Sequence, residues 1–506
     1  MKHYKIYFLV LFSFLAYSQE ISGIVMDSLN KEPIPFAAIT SNFENNTITN
    51  EEGRFRLFKK KSFTEQDSIF ISSIGFNSIS LGLKKNQKFK ILLSTKEIQL
   101  ESVEVRNRKK LSALEIIKRV NNNFMNIYDF DYTSKKIFWR ETTMGEIKKI
   151  DLKIKKSSIK EFDQNFMDSI TSTFPKKNNF YEEILSEFYG NRDIKSQKIS
   201  ILRAARLFNK ENQISTELLE KKIQPIVELR IKPDSYFKFK SGIFPIDLKL
   251  DGLVLRSIDS SDNSQLEKIK KKEFNDKKRF NNSNRRFIKR KSLSYLNFDY
   301  EKERLNLEVF KKSRLYDFKL LELSYLGYDP IYIIEYKPKS SKALYKGKLY
   351  IHADDFAVVR VDYNSVDTLE DFDLLGISFS VDHRFGKEIF KKNNNGKYDL
   401  YYSENTYRRS FGIDRPLKII EKNKNVRGRR KQNQLKMDIL FNGSVEIKTE
   451  FIVLNNISVT KSDYESYKVI ESDLPFKLTE YNPDFWNGYN IIEPSEIVKE
   501  FKIEKN

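Results

Sequence analysis

Histidine is rare and cysteine missing in these 506 residues, and the spacing of the other side chains able to do chemistry brings little of it together. The three histidines are His3, His352 and His383. None sits in an H-E-x-x-H signature, so the common zinc-hydrolase pattern is missing. His352 lies just before Asp354 and Asp355, and a pair such as His352 with either of them could contact a metal. A zinc site needs three or four converging ligands, however, and a polar residue closing a strand before a turn is ordinary. Cysteine is absent, which removes a thiol nucleophile, Cys-ligated metals and disulfides together. No G-x-S-x-G elbow, P-loop or dinucleotide fingerprint occurs. Carboxylates are plentiful, but a glycosidase pair is defined by separation in space, and no spacing marks one. Arg140 and Glu141 are adjacent, and neighbours on a strand point to opposite faces, so separate structural contacts are expected of them. Asn50-Glu51-Glu52 could offer oxygens to a cation, but followed by Gly53 it reads as a hairpin turn. The expectation is no catalytic residue, no metal site and no cofactor; the spacing assigns no binding residues.

Charge is the second chemical signal. The formal net charge is +21, and two basic clusters stand out, Lys268–Lys291 and Arg427–Lys431. In the first, Phe274, Phe280 and Phe287 are interleaved with the cations, a composition shared by some polyanion contacts. No recognition module surrounds it, so a solvated loop or helix is expected and nucleic acid is not expected as a partner.

The elements that would position these groups are mainly β. Phe and Tyr number 40 and 26, and aromatic residues suit pleated, half-buried surfaces. The clearest stretch is Tyr316 to Tyr363, which reads as four antiparallel strands in sequence order. In Phe356 to Tyr363, Ala357, Val359, Val361 and Tyr363 share one face while Arg360 and Asp362 take the other. Turn residues separate the runs at Gly327-Tyr328-Asp329-Pro330, Lys337-Pro338-Lys339 and Ala353-Asp354-Asp355. Strand patterns resume at Ile377–Val381, Tyr398–Tyr402, Ser444–Val453 and Ile457–Thr460. They are too few and too short for a closed membrane barrel, so a soluble sheet is expected.

At the start, Lys2 and Lys5 precede an apolar run, Ile6 to Ala16, and a small-x-small site at Ala16-Tyr17-Ser18. This predicts an export signal over residues 1–18. Losing Lys2 and Lys5 leaves +19 (21 − 2) on the mature chain. Short β-like runs follow at Ile21–Met26, Phe36–Thr40, Arg54–Phe58, Ser68–Ser73, Phe89–Leu93 and Leu100–Val105, as in a sandwich. The segments I-S-G-I-V-x-D from Ile21, P-I-P-F-A-A-I from Pro33, T-N-E-E-G-R-F from Thr49, D-S-I-F-I-S-S-I-G-F from Asp67 and L-E-S-V-E-V from Leu100 together resemble the carboxypeptidase-regulatory-like domain. That resemblance implies a transthyretin-like sandwich over residues 19–106 that is accessory and not catalytic.

Residues 107–130 read as a basic linker and a helix. Ser112 and Glu115 form a capping box, and Ala113, Ile116, Ile117, Val120 and Phe124 make an apolar stripe. Residues 131–506 are expected to form a larger antiparallel, curved sheet with a few helices, among them Tyr181–Tyr189, Ser215–Lys222 and a short one after Pro494. Strand-like pieces lie near Gly242 and Gly252. The helix followed by Phe138-Trp139-Arg140-Glu141, with Tyr345–Ile351, Phe356–Val361 and Asn482–Pro494, resembles a group of exported bacterial proteins that carry this sandwich before a β-rich region of unknown function. The central strands are similar to the periplasmic lipoprotein-carrier fold, which implies an apolar hollow. The functional expectation is a non-enzymatic exported protein of the periplasm or outer-membrane periphery, binding a lipid, another apolar ligand or an envelope protein. The alternatives are a structural or adhesion protein on anionic glycan or lipid, and a hydrolase with an unmarked carboxylate pair.

Overall fold

The structure is a computed structural model that describes residues 19–43, 46–59, 61–83, 88–96, 111–208, 210–232, 235–241, 244–246, 282–296, 307–423, 430–470 and 476–501. The signal stretch, the strand expected at Leu100–Val105, Gly252 and most of both basic clusters lie outside these residues. The chain is mainly β, as composition and period predict. It divides into two units. The first comprises residues up to Ile98, Tyr325–Tyr328 and Asn482–Glu496, and the second the remainder.

In the first unit, β1 (Gln19–Asp27), β4 (Arg54–Lys59) and β7 (Lys88–Leu93) form one sheet. The second sheet has the order β3 (Asn46–Ile48), β2 (Ala38–Ser41), β5 (Ser68–Ser72), β6 (Ile79–Gly82). Ile21, Val25, Ile39, Phe55, Leu57, Ile69 and Ile91 fill the core. Their alternation along each strand is what lets two sheets share one interior. The Asn50–Gly53 stretch is a turn, as its composition predicts. Asn50 Oδ1 accepts from the backbone of Glu52 and Arg54 at 3.1 and 2.8 Å, and Gly53 has φ +70°, the left-handed region that glycine tolerates.

The segment Asn482–Glu496 clasps this sandwich. Asn490 brackets the backbone of Phe58, accepting from its N–H at 2.6 Å and donating to its carbonyl at 3.3 Å. Glu493 pairs with Arg56 at 3.0 Å with both side chains nearly covered, and Asn50 donates to the Pro494 carbonyl. Trp486, Ile491 and Ile492 are buried.

The second unit holds one 14-stranded sheet. Helix α1 (Ala113–Ile127) carries the expected capping box, Ser112 with Glu115, and buries the whole predicted stripe. Then come β8 (Thr133–Ser157), α2 (Gln164–Thr171), β9 (Lys177–Gly190), β10 (Gln197–Phe208), α3 (Lys210–Arg230), β11 (Ser235–Ser241), β12 (Phe244–Ile246) and a helix at 282–296, here α4. The four predicted strands are β13 (Tyr316–Leu326), β14 (Asp329–Pro338), β15 (Tyr345–His352) and β16 (Val358–Ser365), after α5 (Glu308–Lys311). β17 (Glu370–Leu374), β18 (Ile377–Lys392), β19 (Tyr398–Asn423) and β20 (Lys431–Ser458) follow. The last elements are α6 (Lys461–Ser466), β21 (Phe476–Leu478) and α7 (Glu496–Lys499). The main path runs β13-β14-β15-β16-β18-β19-β20-β8-β9-β10-β21, open at both ends.

Two expectations are corrected. Tyr181–Tyr189 is strand, not helix. Within β9, Ile184 and Leu185 are both buried, so the segment is covered on both faces and its apolar run is continuous, which hides the period of two. The later strands are also far longer than the short runs read from sequence, reaching 16, 26 and 28 residues in β18, β19 and β20. By contrast, α3 contains the helix expected at Ser215–Lys222, and β11 with β12 supplies strand near Gly242.

A buried charge cluster pins the start of β19. Asp399 is ion-paired with Lys135 of β8 and with Arg192 at 3.4 Å, and receives Asn456 Nδ2 at 3.3 Å. Burial would raise its pKa, but the two cations outweigh burial and hold it below the ordinary carboxylate value. Its contribution to stability is therefore full above about pH 4 and is lost as the pH falls through the depressed folded value.

Two predictions follow from these contacts. Trp486→Ala should destabilise the first unit by about 3–5 kcal/mol and Asn490→Ala by about 1–3 kcal/mol, read as denaturation midpoints; unchanged midpoints for both would remove the clasp. Asp399→Asn should cost about 3–5 kcal/mol at neutral pH by leaving Lys135 and Arg192 without their carboxylate, and the gap from the parent protein should close as the pH is taken well below 4. A gap independent of pH would show that the charge of Asp399 is not what matters.

Candidate ligand-binding cleft

The cleft is built on the alternating residues of four long strands, β8, β18, β19 and β20. Register places Trp139, Phe451 and Ser403 in one row; Glu141, Thr449 and Asn405 in the next; then Thr143, Ile447, Tyr407 and Arg384. These residues share one face because side chains repeat every second position. A β-bulge between Val381 and His383 keeps Val381 and Arg384 on that face although they are three residues apart.

Helix α4 lies over the upper rows. Ile288, Ser292 and Leu296 are buried at helical spacing, and Trp139 Nε1 donates to Ser292 Oγ at 2.8 Å. Tyr295 packs edge-on to Trp139 and against Phe451, with ring centroids 5.6 and 5.9 Å apart. Lys291 pairs with Glu141 at 2.6 Å and stands over the Trp139 ring. Thus the described end of the basic cluster, 282–291, is a docked helix. Lys291 and Ile288 face the sheet, and Arg286 and Arg290 remain exposed.

Between α4 and the sheet is a cleft of about 800 Å³. Tyr295, Tyr407, Ile447, Phe451, Leu344 and Phe287 supply most of its apolar wall, and Ser403, Asn405 and Thr449 its polar floor. Asn405 Oδ1 accepts from Arg384 Nε at 2.6 Å and from the Tyr363 hydroxyl at 3.1 Å. Burial pushes the Tyr295 and Tyr345 hydroxyls up, so both stay neutral donors; Glu141 adds to the effect on Tyr295, and Arg384 opposes it on Tyr345. A smaller cavity of about 150 Å³ adjoins, sharing Tyr345 and Arg384 and lined also by Val361, Tyr363 and Glu388. Tyr363 packs over Gly386 so closely that a Cβ there would lie 2.6 Å from its hydroxyl oxygen.

The sequence candidates fall as follows. The face expected from Ala357 to Tyr363 is buried, and its Val361 and Tyr363 end lines the small cavity. A bulge beside Val359 breaks strict alternation at its start, where Val358 is buried as well. Arg140 and Glu141 do part to opposite faces. Arg140 meets Glu183 at 2.6 Å and Glu450 at 3.5 Å, and Glu141 meets Lys291. Burial alone would depress Arg140, but the two carboxylates outweigh it and keep the guanidinium charged. His352 is buried, and its Nδ1 accepts the backbone N–H groups of Asp354 and Asp355 at 3.3 and 3.1 Å, closing the turn. His383 lies 3.7 Å from Glu446 on the face away from the cleft. Among the described residues, no cluster of three or more His, Asp or Glu could hold a metal, and no helix is long and apolar enough to cross a membrane. Of the cleft residues the sequence singled out Glu141 and Phe287 but not the rest, which are scattered as far as Phe451; the alternation of β20, with Ile447 opposite Glu446 and Lys448, is the signal for them.

Comparison with known proteins bears on the first unit. Residues 21–105 match the CarboxypepD_reg-like domain, as the five quoted segments imply. No curated protein matches the chain. Solved structures that align include the Pseudomonas aeruginosa MucA/MucB complex, at 8% identity over 68% of this chain and 98% of that one, with a TM-score of 0.15. A membrane-associated protein of unknown function from Bacteroides fragilis aligns at 8% identity over 87% of this chain and 99% of that one, with a TM-score of 0.14. Such scores establish no common fold.

If the Lys291–Glu141 pair holds α4 in place, Lys291→Met should loosen it by about 1–3 kcal/mol, because Glu141 is left half-buried without its cation. In a Trp486→Phe background, Trp139 emission should shift to the red, and amide exchange over 282–296 should quicken. Unchanged exchange would mean that Ile288, Ser292 and Tyr295 suffice.

Proposed function

We propose that the second unit is a non-enzymatic binding module in an exported envelope protein, and that it holds an apolar or amphiphilic ligand in the cleft under α4. The observation that carries this reading is the cleft itself. Its volume, about 800 Å³, lies in the ~300–1,000 Å³ range of small-molecule sites. Its wall is aromatic and aliphatic, with a few fixed polar groups on the floor, which is the usual division between affinity and orientation. Two of the ionisable groups there engage structural partners, Glu141 with Lys291 and Arg384 with Asn405. Export is supported by the basic start, apolar run and Ala16-Tyr17-Ser18 site, and places the mature start at Gln19. The CarboxypepD_reg-like sandwich then serves as the accessory domain.

The test is native mass spectrometry of the full chain secreted by its host, followed by solvent extraction. A co-purifying species of a few hundred daltons is expected, with a polypeptide mass that begins at Gln19. Ile447→Asp, which puts a charge into the apolar wall, should cut ligand occupancy at least ~10-fold, since an unpaired charge there costs more than 1.4 kcal/mol. A protein that carries nothing and takes up no amphiphile in titration would overturn the reading.

A further inference from the structure

We propose that the ligand of the cleft is an anionic amphiphile, its head group met by Arg290 and Arg409 and its chain laid along apolar rows that continue down the same sheet face. This rests on the binding role proposed above and adds the chemical class of the ligand.

The head-group end is defined by charge. Of the cations lining the cleft, Lys291 is engaged by Glu141 and Arg384 by Asn405. Arg290 and Arg409 are exposed and have no ion-pair partner among the described residues; Arg409 stands 4.8 Å over the Tyr407 ring. Glu370 is the one further carboxylate on the lining, so the excess is positive. An arginine fork suits carboxylate, sulfonate or phosphate oxygens, which it can grip in pairs.

The chain end is defined by register. Arg409 lies in a row with Val381 and Val445. The next row down is Phe372, Phe379, Phe411, Gly443 and Ile147, across β17, β18, β19, β20 and β8. After it comes Leu374, Ile377, Ile413, Phe441 and Ile150. The row after that is Arg415, Ile439 and Leu152, with the Arg415 guanidinium donating to the Ser241 carbonyl at 3.0 Å, and Leu417, Met437 and Ile154 follow. From Arg409 to Leu417 this is roughly 25 Å at ~3.3 Å per residue, enough for a fatty acyl chain. The rows stay open to solvent, Phe372, Ile377, Phe411 and Ile413 being 37–48% exposed. A second cavity of about 400 Å³ lies along them, where Ile147, Val445 and Phe411 face Leu219 of α3 and Phe174. The reverse face of the same strands carries Asp382, Arg408, Glu446, Lys149 and Lys153. Exposed apolar rows this regular mark an interaction surface. Unpaired cations at the point where the rows begin select an amphiphile with a negative head over a neutral one.

The experiment is a fluorescence titration of the full-length mature protein with dansyl-undecanoic acid and with its methyl ester, which has the same chain without the charge. The acid should bind at least ~10-fold tighter, as expected of charge-assisted contacts. Arg290→Gln with Arg409→Gln, both at exposed positions, should bring the acid and the ester to the same affinity. Ile413→Asp should weaken both probes. Equal binding of acid and ester would overturn the anionic assignment and leave the cleft reading standing. An intact acid preference with no effect of Ile413→Asp would overturn the placement of the chain. No binding of either probe would remove both this inference and the function it rests on.

Discussion

Everything in the second unit depends on a period of two kept in register across strands of 16 to 28 residues. A slip of one residue in any of them would exchange its faces and move the apolar set to the other side. The bulges are where this is managed. In β8, Ile147 and Ile150 are three apart, so strict alternation would separate them. The irregularity between the Asn442–Lys149 and Gly443–Ile147 pairs absorbs one residue and puts both on the cleft face. The bulge at Asp382 does the same for Val381 and Arg384. Removing one of these extra residues would turn a rim arginine or a ladder isoleucine to the wrong side.

The charged side chains obey the same geometry. Because Arg140 and Glu141 occupy opposite faces, each needs its own counter-charge, and each has one: Glu183 and Glu450 for the arginine, Lys291 of α4 for the glutamate. A buried charge is tolerable only when paired and hydrogen-bonded, so these pairs act as locators. They decide which strand lies beside which, and where α4 sits. Arg290 and Arg409 belong to neither arrangement. In a chain with 91 Lys and Arg against 70 Asp and Glu, exposed cations are common, and their position at the edge of an apolar face is what distinguishes these two.

Local signals were legible wherever they were self-contained. The Ser112–Glu115 box with its stripe, the Asn50–Gly53 turn and the four strands from Tyr316 all follow from neighbours a few residues apart. The sandwich was legible in the same way, strand by strand. The failures lie where information is not local. β9 looks helical because it is buried on both sides, a property of β8 and β10 and not of Tyr181–Tyr189 itself. The clasp of Asn490 and Glu493 on Phe58 and Arg56 joins positions more than four hundred residues apart. The cleft has no motif because each strand contributes only one to four residues to it. Its contributors become a set only when register is known.

That register also explains why the cleft is not simply a core with a defect. A sealed interior would place aliphatic residues along the floor, since an unmet buried polar group costs about 1–3 kcal/mol. Here Ser403, Asn405 and Thr449 lie in the floor beside Tyr407 and Phe451, and below Arg409 the rows turn almost wholly aliphatic and aromatic. Polarity therefore falls along one face in one direction, while behind these rows the reverse face carries mostly polar side chains, among them Arg408, Glu446 and Lys149. Folding alone gives no reason for such a gradient, because these rows are half open to water and contribute little to the core. The anionic amphiphile that we propose, with a charged end and an apolar end, would give one.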